Sequence, residues 1–228
     1  MNTRGLLDQL LKSGQDLLQQ HTGKGSGSGS GLGSGLGGLL SGVGGKALGA
    51  GALGALLGNK KTRKLGGKVI TYGGLAALGV LAYKAYGNWQ AKQAGAPQRE
   101  PQTVDRLPAA EAEQHSQAVL RALVAAAKAD GHVDEREREL IEGEFTRLDS
   151  DAELRQWLHT ELNKPLDPAD VALAAQTPEM AAEMYLASLM MVDQENFMER
   201  AYLDELARQL RLDPDLRQEL EAQRQLAG

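Results

Sequence analysis

Six carboxylates in two short stretches are the residues of this chain whose types and spacing could do chemistry. The first stretch is Ala129-Asp130-Gly131-His132-Val133-Asp134-x-x-Glu137, the second Val192-Asp193-Gln194-Glu195-Asn196-x-x-Glu199. Each leaves an apolar helical pattern, turns through an acidic loop and enters the next helix at Asp or Asn, with Glu three residues on. Brought side by side, Asp130, Asp134, Glu137, Asp193, Glu195 and Glu199 would offer the clustered oxygen donors that a hard divalent cation such as Ca²⁺ takes. A second reading needs no metal. Asp134/Glu137 and Asn196/Glu199 have the spacing of capping boxes, which satisfy free backbone N–H groups at helix starts, and Asp130 and Asp193 are then solvated loop acids. The residues themselves leave both readings standing. Neither stretch has the alternating ligands of a twelve-residue EF-hand loop. His132 stands where a carboxylate would match Glu195, and the second turn has no glycine, so any site built from the two is asymmetric.

Other chemistries lack their residues. There is no cysteine, which excludes disulfides and thiolate metal sites. No HExxH pattern occurs, and no glycine loop sits between a strand and a helix to cradle phosphate. His21, His115, His132 and His159 are scattered, as single surface histidines are. The expectation is a protein that is not an enzyme.

The elements that must position the carboxylates read as helices throughout. Residues 109–129 carry Val119, Leu120, Leu123 and Val124 on one side and end at Gly131. Ile141, Phe145 and Leu148 stripe the helix that follows Asp134, and Leu154, Trp157, Leu158 and Leu162 the one after Ser150. Asp167-Pro168, Thr177-Pro178 and Asp213-Pro214 each set an N-cap before a first-turn proline. Between them Asn196 opens a helix with Leu203, Leu206, Ala207 and Leu210 in register. The methionines of the helix from Pro178, namely Met180, Met184, Met190 and Met191, suit core filling. Seven helices over 109–228 and no strand pattern predict one compact all-α domain.

Those residues resemble the TerB-like domain of tellurite-resistance proteins, in which acidic residues of such turns are implicated in metal binding. The whole chain is similar to the YebE family of bacterial inner-membrane proteins (DUF533), through AKADGHVDERERELI and ENFMERAYLDELARQLRL. The resemblance implies a membrane-anchored protein without enzymatic activity, with the six acids above as metal ligands and a role in envelope or metal stress.

The N-terminal half differs in kind. Residues 1–100 hold twelve Lys/Arg against three Asp/Glu, net +9, whereas residues 101–228 hold thirteen against twenty-seven, net −14. A basic membrane-proximal segment and an acidic domain fit that split, and nucleic acid is an unsuitable partner for the acidic half. Residues 1–21 read as a short amphipathic helix with Leu6, Leu7, Leu10, Leu11, Leu17 and Leu18. Residues 22–64 are glycine-rich, with Gly37, Gly45 and Gly49 among small residues spaced four apart, so 36–58 is a candidate first membrane helix able to pair with copies of itself. Val69 to Tyr83 is uncharged, and with its flanks the stretch 65–89 reaches the roughly 20 residues that cross a bilayer core of about 30 Å. It is read as a transmembrane helix, alone or as the second arm of a hairpin. Lys60, Lys61, Arg63, Lys64 and Lys68 before it predict a cytoplasmic N-terminal side and a periplasmic domain. Residues 90–108, with three prolines, read as the linker to that domain.

The function expected is a membrane-anchored, non-enzymatic protein whose acidic domain binds a divalent cation or a partner protein. The alternative is a structural membrane protein that forms homo-oligomers through its glycine-rich segment, with the domain as an interaction platform.

Overall fold

The computed structural model describes residues 3–5, 67–93, 99–131, 142, 152–192 and 196–227. Its helices are α1 (Gly67–Lys92), α2 (Ala109–Ala127), α3 (Ala152–Asn163), α4 (Pro168–Ala172), α5 (Pro178–Met191), α6 (Phe197–Gln209) and α7 (Pro214–Ala227). Among the described residues there is no strand, so the all-α expectation holds.

Helix starts follow local chemistry. The side chains of Asp167, Thr177, Asn196 and Asp213 accept from Ala169, Met180, Met198 and Asp215 N–H groups at 2.9, 3.1, 2.9 and 2.9 Å. Each satisfies an N–H that has no partner inside its helix.

Helix α5 is the axle of the fold. Ten consecutive residues, Met180–Leu189, are buried, as a helix apolar on all sides must be, and α1, α2, α6 and α7 all pack on it. Met180 and Met184 are core residues, in line with their reading as filling. Helix α2 also packs on α3 and α4, and α4 on α6.

The stretch read as a transmembrane segment needs correction. A helix forms there, but α1 belongs to the helical core: Leu75, Leu78, Ala82, Ala85 and Tyr86 are buried, and α1 lies along α7 and against α5. Its C-terminal end is held by polar contacts to α7. Trp89 Nε1 donates to Asp213 Oδ1 at 3.1 Å, Asn88 donates to Glu219 at 3.3 Å, and Lys92 pairs with Glu219. Among the described residues no helix is long and apolar enough to cross a membrane. An uncharged run has the same composition whether protein or lipid lies against it, and here protein covers one face, while Val80 on another is 41% exposed.

Nor are residues 99–108 a free spacer. Thr103 and Val104 are each only 1% exposed. Asp105 and Val104 press so close to α1 that a Cβ on Gly79 would stand 2.5 Å from Asp105 Oδ1 and 3.0 Å from Val104 Cγ1. Glycine is what lets this strap lie down on the helix. Arg106 lies 3.9 Å over the Tyr83 ring, adding a cation–π contact. The amphipathic helix of 1–21 (Thr3–Gly5 excepted), the glycine-rich 22–64 and the candidate membrane helix 36–58 lie outside the described residues.

Candidate functional site

The described ends of the two acidic stretches, Gly131 and Met198, lie close together. Helix α2 closes through Gly131 N–H to Lys128 O at 3.0 Å, with Gly131 at φ +87°, a left-handed conformation that glycine adopts without strain. A Cβ placed on Gly131 would stand 3.0 Å from Met198 Cε, so the start of α6 lies against the end of α2. Asp130 is exposed and Glu199, in the first turn of α6, is 9% exposed. A carboxylate there also meets the positive end of the helix dipole. Asn196 does cap α6, as its capping reading requires. Asp134, Glu137, Asp193 and Glu195 lie outside the described residues, as does His132. Among the described residues no three His, Asp or Glu side chains gather closely enough to hold a metal. Phe197 and Met198 are 76% and 52% exposed at this same end.

A polar centre that the pattern of residues did not disclose lies inside the core. Glu183, fully buried on α5, accepts from the Val104 N–H at 2.6 Å through Oε1, and its Oε2 is 2.5 Å from His115 Nδ1. His115 is 4% exposed, which corrects its reading as a surface histidine. Burial pushes the Glu183 carboxyl above the usual carboxylate range, while the contacts to His115 and Val104 pull it back. With no solvent access the pair cannot meet a substrate. It ties α2, α5 and the 99–108 strap together. The only advance signal was a glutamate amid the apolar residues of α5; its partner is 68 residues away.

Two further networks fix the outer helices. Tyr185 OH donates to Glu221 Oε1 at 2.9 Å, and Arg217 donates to both that hydroxyl and Glu221 Oε1 at 2.9 Å and to Asp204 at 2.5 Å. Arg121 donates to Glu161 at 2.8 Å, and Lys128 to the carbonyls of Glu161 and Lys164 at the end of α3, where a cation offsets the helix dipole. Between α2 and α3 a cavity of about 200 Å³ opens, lined by Gln117, Arg121, Leu154 and Trp157 among others.

Comparison with known proteins agrees with a unit that includes α1. No solved structure matches the chain. An uncharacterized protein in the ampR 5′ region of Yersinia enterocolitica is 34% identical over 124 residues, which are 54% of this chain and 88% of that protein. The family described as "protein of unknown function (DUF533)" matches residues 42–224, from ahead of α1 to within α7. The chain therefore belongs to the DUF533 family.

Proposed function

We propose that this is a non-enzymatic binding protein whose acidic end, where the turn after α2 meets the start of α6, takes a divalent cation. The observation that carries the reading is the contact of Gly131 with Met198, because it brings together two chain segments that each bear three of the six carboxylates. Hard cations take six to eight oxygen ligands, and six carboxylates from two stretches supply that number even when each binds through one oxygen. The resemblance to TerB-like domains points the same way. Calorimetric titration of the full chain with Ca²⁺, Mg²⁺ and Zn²⁺ tests it. The expected result is saturable heat, lost in Asp134→Asn and Glu199→Gln, with a melting temperature that rises by several degrees at a hundredfold excess over Kd. Absence of heat and of any shift in melting at millimolar metal overturns it.

A partner protein is the second reading, favoured by the exposure of Phe197 and Met198 at that end; large apolar side chains clustered on a surface mark interaction sites. Its test is a Phe197→Ser, Met198→Ser variant, which should lose partner capture while keeping any cation response.

The resemblance to the YebE family adds a setting at the bacterial inner membrane, in envelope or metal stress. Since α1 is engaged with α5 and α7, attachment to a bilayer falls in this reading to the basic, glycine-rich residues ahead of it, the same residues that would carry homo-oligomerisation through Gly37, Gly45 and Gly49. Membrane fractionation of the full chain and of residues 67–228 tests the attachment: only the full chain should sediment with membranes.

A further inference from the structure

We infer that the groove between α2 and α3 is the seat of the chain's own N-terminal arm. The described chain begins at this groove. Thr3 N–H donates to Glu113 Oε1 at 2.6 Å and Arg4 N–H to Glu113 Oε2 at 3.1 Å. Thr3–Gly5 form a helical turn, whose first N–H groups have no partner within a helix. A carboxylate 110 residues further along the chain supplies one, with both of its oxygens engaged. Thr3 is 1% exposed and lines the groove together with Gln117, Arg121, Leu154 and Trp157.

The residues after Gly5 suit the place. Glu113, Gln117 and Arg121 are spaced four apart and share one face of α2, so the groove continues from the anchor point along that helix. Its floor is apolar, with Leu120 and Leu154 each at 2% exposure. Leu6, Leu7, Leu10 and Leu11 come directly after Gly5, the i, i+1, i+4, i+5 pattern of one helix face. The arm is tethered by its own chain, so the relevant concentration is the effective one. For a glycine-rich tether this is of millimolar order, and an arm with an intrinsic Kd of about 100 μM is then seated about nine-tenths of the time. In that state the groove is closed to other helices, and any outside ligand for it must displace the arm.

The test uses a labelled peptide of residues 1–21, read by fluorescence anisotropy against the full chain and against a chain lacking residues 2–21. The peptide should bind the shortened chain with a Kd below about 100 μM and the full chain at least ten times more weakly, since the tethered arm competes. Glu113→Ala in the shortened chain, or Leu7→Asp with Leu10→Asp in the peptide, should weaken binding at least tenfold. Equal binding to both chains, or none to a folded shortened chain at 1 mM peptide, overturns the inference. Should the shortened chain fail to fold, the full chain decides: it has no cysteine, so Thr3→Cys with Gln117→Cys gives a clean pair for a short bismaleimide. A crosslinked monomer supports the arm in cis; crosslinks only between chains overturn it.

Discussion

Glu183 is the residue whose replacement is most informative. Its carboxyl is raised by burial, so the folded state holds its proton more tightly than the unfolded chain. The contribution of this one group is therefore most favourable at low pH and declines as pH rises from the unfolded value of about 4.3 through the folded one. Glu183→Gln stands in for the protonated form. The difference in melting temperature, variant minus parent, should grow between pH 5 and pH 7.5; a difference that shrinks with rising pH would mean that the contacts to His115 and Val104 outweigh burial. Glu183→Ala instead strands the Val104 N–H and His115 in the core. Two lost partners at about 1–3 kcal/mol each predict a large fall in denaturant midpoint. Beyond a glutamate among the apolar residues of α5, nothing local announces this centre, because a buried pair formed across 68 residues leaves no period or motif behind.

At the scale of elements, helix α1 offers a matched pair of glycines. Gly79 sits under the strap, where a Cβ would collide with Asp105 and Val104, whereas a Cβ on Gly87 meets nothing within 4 Å. Alanine at either site gains about 1 kcal/mol of helix propensity. At Gly87 that gain should appear as added stability. At Gly79 it is outweighed by overpacking of about 1–3 kcal/mol, because Asp105 is held by the Thr103 hydroxyl at 2.6 Å and does not swing aside freely. Chemical denaturation of the two variants should give opposite signs. The starts of α4, α5, α6 and α7 were legible because a capping side chain and its N–H lie two or three residues apart. The surroundings of α1 were not: fifteen uncharged residues fit a bilayer as well as they fit α5 and α7. What decided between them were Trp89, Asn88 and Lys92 meeting Asp213 and Glu219, pairings more than a hundred residues distant. The same holds at the acidic end, where capping was readable at Asn196 while the contact of Met198 with Gly131 was not.

For the whole molecule, the cooperative unit is larger than the acidic domain that composition marks off. A fragment of residues 67–228 should melt in a single transition without detergent. One of residues 105–228 lacks α1 and the start of the strap. It leaves the apolar faces of α5 and α7 uncovered, so it should bind a hydrophobic dye and melt at a markedly lower temperature. Equal melting of the two fragments would return α1 to the status of an appendage. The packing of α1 along α7 also has a meaning in time. Helix α1 finds a partner in a helix made more than a hundred residues later, the one in which Leu216 and Leu220 are buried. Until α5 and α7 have emerged, α1 presents Leu75, Leu78 and Tyr86 to whatever is near. Contacts this distant in sequence form late, so a nascent chain carries α1 as an incompletely sheltered apolar helix until α5 and α7 are both made, and any chain that stops before α7 is a substrate for chaperones and proteases.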